Sequence, residues 1–269
     1  MGNRLSQSYM TKTTKEFDVA YKKLNAEQRL AVDTIEGPVM LVAGHGTGKT
    51  QTLALRIANI IRKTDTPASS ILALTYTESG ARAMKSRLTQ MIGSEAYYAN
   101  ISTFHAFCQG VIKDNPDIFT LNPASEPLSD LEKLKLIRGL IDSGSLSVLR
   151  PTGSPYHYAS AVLGAISDLK REGIDPDEFE ELLIAEDLFL KSDDVSELKK
   201  TEIAKRQRNL AKNKELNLLF RKYQAVLKDQ GSFDFEDMIT SVVDAFKQNE
   251  ELLFSCQEKY LYILVDEYQ

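Results

Sequence analysis

The chain has 269 residues, 42% hydrophobic and 26% charged, which is enough apolar material for one or two globular domains. Its net charge is −5, so global charge gives no support for DNA binding and any such contact must come from a local patch. Two cysteines, Cys108 and Cys256, exclude a disulfide framework or a zinc site on count, and no apolar run approaches the roughly 20 residues of a membrane span. Residues 1–16 are polar, with no signal-peptide core, and a reducing, cytoplasmic compartment is expected. The start, Met1-Gly2 through Ser6, fits a loose N-myristoylation pattern that matches often by chance, and nothing else argues for a membrane.

Residues 1–15 read as a disordered lead, followed by a short helix from about 16 to 23. Asn25, with Gln28 three residues on, opens the next helix. Residues 37–43, Gly-Pro-Val-Met-Leu-Val-Ala, are a short apolar run after a turn signal, predicted to be a buried strand. A glycine-rich loop follows. Leu53, Ile57, Ile60 and Ile61 then mark one face of a helix to about Lys63. The alternation repeats: strand 70–76, helix 78–92, strand 100–104, helix 105–113. This succession predicts an α/β fold, a parallel sheet with helices on its faces.

From 120 to 232 the sequence reads almost wholly helical. Val162, Leu163, Ile166 and Leu169 form an apolar stripe, Asp175-Pro176-Asp177-Glu178 is a capped helix start, and 196–228 reads as one long helix stopped near Gly231. This stretch is expected to be an inserted all-helical subdomain, with 16–119 and 233–269 forming the α/β domain around it. A further helix runs from Phe233-Asp234-Phe235-Glu236-Asp237 to about Asn249, and a strand over 260–265 leads to Asp266-Glu267-Tyr268-Gln269. A parallel strand ordinarily continues into a loop and a helix, so the chain looks cut inside a domain.

Residues 43–50, Ala43-Gly44-His45-Gly46-Thr47-Gly48-Lys49-Thr50, are a phosphate loop with Ala at the usual first Gly position. In such a loop, backbone N–H groups and the following helix N-terminus cradle phosphates, Lys49 pairs with the β- and γ-phosphates, and the Thr50 hydroxyl holds Mg²⁺. Asp266 and Glu267, ending an apolar strand, are the expected second half. One carboxylate holds the metal, often through water, and the other takes a proton from the attacking water.

These motifs resemble, in order and over nearly all of 16–269, the N-terminal part of a UvrD/Rep-type superfamily 1 DNA helicase. Residues 24–28 (Leu-Asn-Ala-Glu-Gln) resemble the adenine-reading Q motif, and 43–50 resemble motif I. Residues 73–77 followed by 81–84 (Ala-Arg-Ala-Met) resemble motif Ia, 102–107 (Ser-Thr-Phe-His-Ala-Phe) motif Ib, and 265–269 (Val-Asp-Glu-Tyr-Gln) the start of motif II. The family's motif II continues with another Asp that is absent here. Residues 233–237 resemble the acidic-aromatic element that precedes motif II.

The resemblance implies a RecA-like P-loop NTPase domain with its helical insertion, taken from a 3′–5′ helicase that uses ATP and Mg²⁺ on single-stranded and duplex DNA, with a role in DNA repair. A second RecA-like domain, which would bring arginines to the transferring phosphate, is missing from this chain. The implied catalytic residues are Lys49, Glu267 and Gln269. The implied nucleotide residues are Gln28, residues 43–50 and Gln51, with Thr50 and Asp266 at the metal. Thr75, Tyr76, Thr77, Thr103, Phe104 and His105 are implied to face DNA.

Residue chemistry leaves alternatives open. Gln28 is either an adenine reader or the capping partner of Asn25. Tyr76 and Phe104 either stack on bases or pack in a core, and His105 contacts a phosphate or caps a helix. Lys199, Lys200, Lys205, Arg206, Arg208, Lys212 and Lys214 form either a duplex-binding patch or a solvated helix face. Three departures from the family stand out: His45 for a small residue or Pro, Gln51 for an arginine near the adenine, and Glu78-Ser79 for Asn-Lys. A GTPase is disfavoured, because Asn213-Lys214-Glu215-Leu216 fails at the last position of the Asn-Lys-x-Asp element.

Overall fold

The structure, a computed structural model of the chain, describes residues 15–44, 46–119, 127–192, 195 and 198–268. The predicted lead, His45 and Gln269 lie outside the described residues, apart from residue 15, which is helical. Two compact units emerge. One is built from Met1–Gly110 with Phe246–Gln269, the other from Val111–Ala245.

The first unit contains a parallel sheet of three strands among the described residues, β1 (Ile71–Thr75), β2 (Asn100–Thr103) and β3 (Tyr262–Val265), in the order β2-β1-β3. Leu74 is opposite Ser102 on one side and Val265 on the other, so the C-terminal ends of all three strands meet at one edge. Every residue of β1 is buried, as a central strand with covered faces requires. Around the sheet run α1 (residues 15–22), α2 (Ala26–Asp33), α3 (Lys49–Lys63), α4 (Glu78–Ile92), the start of α5 (Phe104–Asp114) and α11 (Glu250–Lys259). The core joins Leu55, Ile57 and Ile60 of α3 to Met84 and Leu88 of α4, Ile71 and Ala73 of β1, and Leu264 of β3. Burying each such side chain is worth about 1.5–3 kcal/mol.

One expectation fails here. Residues 37–43 form no strand: Val39, Met40 and Val42 are exposed, Val42 at 83%. A buried parallel strand needs ladder partners and covered faces. Among the described residues none pairs with this run, and β3 is an edge strand whose Ile263, like Leu261 just before it, is 60% exposed. A second element was not anticipated. Asn249 accepts a hydrogen bond from the Leu252 N–H and starts α11, where the sequence pattern offered nothing between helix and strand.

The second unit is helical among its described residues: α6 (Asp130–Ser143), α7 (Ala159–Arg171), α8 (Pro176–Phe189), α9 (Lys200–Asp229) and the larger part of α10 (Phe235–Gln248). Capping boxes open α6 at Ser129 and α8 at Asp175. Ile137, Ile141, Ile166, Leu219, Phe220 and Tyr223 form its core. Inside the same unit lies a buried ion cluster. Lys170 Nζ is 2.5 Å from Asp234 Oδ2 and 2.7 Å from Asp237 Oδ1, with the Tyr223 ring beneath it and the Tyr223 hydroxyl donating to Asp234.

Candidate nucleotide-binding site

The loop before α3 takes its shape from two glycines in the left-handed region, Gly46 at φ 75° and Gly48 at φ 85°. Other residues adopt that region at a cost, so the sequence Gly-Thr-Gly is what permits the turn. Gly48 is the N-cap of α3 and offers no side chain, which leaves the first N–H groups of α3 without a cap and available to an anion. Thr47 Oγ1 donates to the Gly44 carbonyl at 2.7 Å and holds the loop closed on itself. Lys49 Nζ lies 3.2 Å from the Ala43 carbonyl and 3.5 Å from that of Gly44, so among the described residues its charge meets only carbonyl dipoles.

The acidic pair arrives from the other end of the chain. The Asp266 N–H donates to the Leu74 carbonyl at 2.8 Å, which carries the β1–β3 ladder one residue past β3 and fixes the carboxylate beside α3. Thr50 Oγ1 then donates to Asp266 Oδ2 at 3.3 Å, joining residues 216 positions apart. A hydroxyl and a carboxylate are the hard oxygen donors that Mg²⁺ selects. Cis ligands on an octahedral ion with bonds of about 2.1 Å stand about 3 Å apart, close to the observed spacing. The residues therefore fit the ion. Glu267 follows with φ 58°, the one non-glycine residue in the left-handed region among those described.

Two cavities adjoin this loop. The first, about 300 Å³, is lined by Gly44, residues 46–50, Arg87 and Glu267. The second, about 570 Å³, has an apolar wall of Val19, Ala20 and Leu24 and polar groups at Gln28 and Gln51, with Gly48 shared between the two. Gln28 is the capping partner of Asn25 and also reaches the loop. Its Oε1 accepts from the Asn25 N–H at 3.0 Å in a capping box, while its Nε2 donates to the Thr47 carbonyl at 2.8 Å and ties α2 to the loop. One amide hydrogen and one lone pair are left over for a ligand.

At the sheet's C-terminal edge, Thr75 and Thr103 are buried and their hydroxyls are committed. Thr75 donates to the Thr77 carbonyl; Thr103 donates to Glu78 Oε1 at 3.1 Å and accepts from the Ala106 N–H. Thr77 caps α4 through Gly80. Phe104 and His105 are half-buried at the start of α5. Tyr76, by contrast, is 77% exposed and is no core residue. Of the basic stretch, Arg206 pairs with Glu186 and Glu202, Lys214 pairs with Asp187, and Lys212 lies over the Tyr158 ring. Lys199, Lys200, Lys205 and Arg208 are exposed.

A family model described as "UvrD/REP helicase N-terminal domain" matches residues 24–269. The chain belongs to the UvrD/REP helicase family. Among curated relatives, it is 29% identical to the ATP-dependent DNA helicase PcrA of Staphylococcus epidermidis over 248 residues, which is 92% of this chain and 30% of that protein. It is 31% identical to PcrA of Bacillus subtilis, covering 91% of this chain and 29% of that one, and 31% identical to a probable DNA helicase II homolog of Rickettsia conorii, covering 91% and 33%. The chain thus spans about a third of the length of these relatives.

One residue of this UvrD/REP domain escaped the sequence reading. Arg87 is on α4, next to the buried Leu88 and three residues after Met84, and reads as the polar flank of an amphipathic stripe. Its side chain nevertheless lines the loop cavity. No spacing signal marks it, because only the packing of α4 beside α3 brings it there.

Proposed function

We propose that this chain is the ATP-binding N-terminal part of a 3′–5′ DNA helicase, with Lys49 on the β- and γ-phosphates, Thr50 and Asp266 at Mg²⁺, and Glu267 as the base that receives the proton of the attacking water. The observation that carries this reading is the 3.3 Å contact of Thr50 with Asp266, which brings a phosphate loop and a paired carboxylate into one site. The metal, when bound, screens charge on the phosphate oxygens. The chain's own residues do the rest: the uncapped start of α3 holds phosphate, Lys49 neutralises it, and Gln28 keeps the loop against α2 beside the cavity suited to the base.

The exposed Tyr76 at the C-terminal edge of the sheet supports a single-strand contact by stacking, with the exposed lysines of α9 toward duplex. Unwinding in this reading belongs to the full-length protein, in which a second domain closes on ATP. The test is calorimetric titration of ATP·Mg²⁺ into the chain and its Lys49→Ala variant. Binding that the variant loses supports the reading, and equal affinity in both counts against a phosphate loop.

A further inference from the structure

At the C-terminal edge of the sheet, the polar groups that a phosphate would need are already taken. Thr75 donates to the Thr77 carbonyl at 2.9 Å, and the Thr77 hydroxyl accepts from the Gly80 N–H at 3.0 Å as the cap of α4. The Thr103 hydroxyl donates to Glu78 Oε1 at 3.1 Å and accepts from the Ala106 N–H at 3.2 Å. The start of α4 is thus closed by its own cap and carries Glu78 in its first turn, where a carboxylate sits well against the helix dipole. The segments that leave the three strands at this edge, residues 75–81, 103–110 and 266–268, hold Glu78, Asp266 and Glu267 and no lysine or arginine. Arg82 follows at once, exposed and four residues after Glu78, hence on the same face of α4. What the edge offers openly is a ring: Tyr76, 77% exposed, two residues before Glu78.

Affinity for DNA ordinarily comes from cations on phosphates, and a carboxylate at the contact subtracts from it. Stacking of a base on an aromatic ring needs no cation and tolerates any base. We infer that Glu78 is a specificity-determining residue of this edge: its charge turns phosphate away and offsets Arg82, so that a strand is held at Tyr76 by unpaired bases, and duplex, whose outer surface is phosphate, is disfavoured there. The Thr103 bond pins the carboxylate between the ends of β1 and β2, which are neighbours in the sheet. This rests on the reading of Tyr76 as a single-strand contact and adds to it the residue that sets the choice.

The experiment is fluorescence anisotropy on the 269-residue chain with a labelled oligothymidylate and a blunt duplex of the same length, at low and high salt, for the parent, Glu78→Gln, Glu78→Lys and Tyr76→Ala. Glutamine keeps the shape of the side chain and still accepts from Thr103, so it removes charge alone, and thermal unfolding matched to the parent shows that the fold is intact. At low salt Glu78→Gln is expected to bind the single strand about threefold more tightly and Glu78→Lys about tenfold, with both gains vanishing at high salt. The preference for single strand over duplex is expected to narrow in Glu78→Lys. Tyr76→Ala is expected to lose about tenfold on the single strand at both salts. If Tyr76→Ala weakens binding while both Glu78 variants bind as the parent does, the inference is overturned and the stacking reading stands. Gains that persist at high salt, or an unchanged preference for single strand, overturn it as well. If Tyr76→Ala binds like the parent, the single-strand reading of this edge falls and this inference with it.

Discussion

Lys170 in the helical unit and Lys49 with Arg87 in the sheet unit are cations handled in opposite ways. Lys170 is 3% exposed and saturated by two carboxylates, themselves held by the Asp234 and Asp237 N–H groups, Tyr223 and Gln224. Lys49 touches only carbonyls, and Arg87 touches no acceptor among the described residues. The first arrangement spends its electrostatics inside the fold, where breaking it costs stability. The second leaves its charge at the wall of a cavity. Two tyrosines repeat the contrast: Tyr223 is buried with its hydroxyl on Asp234, and its ionisation is pushed far up by burial, while Tyr76 stands in solvent.

The largest expected effect breaks the saturated site. Lys170→Met leaves two carboxylates facing each other without a counter-charge, and urea unfolding is expected to show a loss of about 3–5 kcal/mol. A loss below 1 kcal/mol, on the order of a surface pair, would place the cluster among solvated ions. Next comes the exposed partner of the contrast. Tyr76→Ala should leave thermal unfolding unchanged yet weaken single-strand binding by about 1–3 kcal/mol in fluorescence anisotropy, with little dependence on base sequence. Unchanged affinity would take Tyr76 off the DNA path.

A third prediction asks whether a carboxylate alone, without a cation, can organise the helical unit. Glu215 accepts from the Ser147, Val148 and Leu149 N–H groups and from the Ser147 hydroxyl. Burial works to raise its pKa, but these bonds outweigh it and hold the carboxyl below its usual value. Glu215→Ala strands several loop N–H groups and should cost about 1–3 kcal/mol in the same unfolding assay. An unchanged midpoint would mean water replaces the carboxylate at no cost.

The smallest effect sharpens the charge count. One lysine neutralises one carboxylate, so the cluster carries an excess negative charge. Burial, opposed by Lys170 and reinforced by Asp234, pushes Asp237 up; for Asp234 burial is outweighed by the Lys170 charge and hydrogen bonds, which hold it down. The signs differ accordingly. Asp237 contributes stability in its protonated form, fully present below its unfolded pKa and lost as pH rises through the folded one. Asp234 contributes stability above its unfolded pKa, lost as pH falls through the folded one. Relative to Asp237→Asn, the parent should therefore gain stability as pH is lowered from neutral toward the carboxylate range. A pH-independent difference would refute the excess-charge account.

Much of the sheet unit was legible in the sequence, because its signals are local. Asn25 with Gln28 produced a capping box, Thr77 started α4 at the expected residue, and the Gly-Lys-Thr run opened α3. The run at 37–43 misled because an apolar string predicts burial only if neighbours exist to cover it, and among the described residues β3 offers an unpaired edge instead. Arg87 was invisible for the reverse reason. Its place at the cavity depends on where α4 lies beside the loop, and a residue flanking an apolar stripe looks the same whether it faces solvent or a cavity. Lys170, Asp234 and Asp237 were likewise unreadable, since charges at that separation announce nothing about meeting in a core.

The backbone at Glu267 has a further consequence. A left-handed conformation costs an L-residue about 1–2 kcal/mol of steric strain that glycine escapes, set against the larger chain entropy glycine gives up on folding. Glu267→Gly should thus melt at a higher temperature than the parent, even as it removes the carboxylate assigned to the water's proton. On the proposed assignment of Glu267 as the base, sturdiness and turnover pull in opposite directions at this position. A screen of this domain for heat resistance alone would be expected to enrich replacements here that, on that assignment, remove the base, so a search for hardier variants has to hold residue 267 fixed.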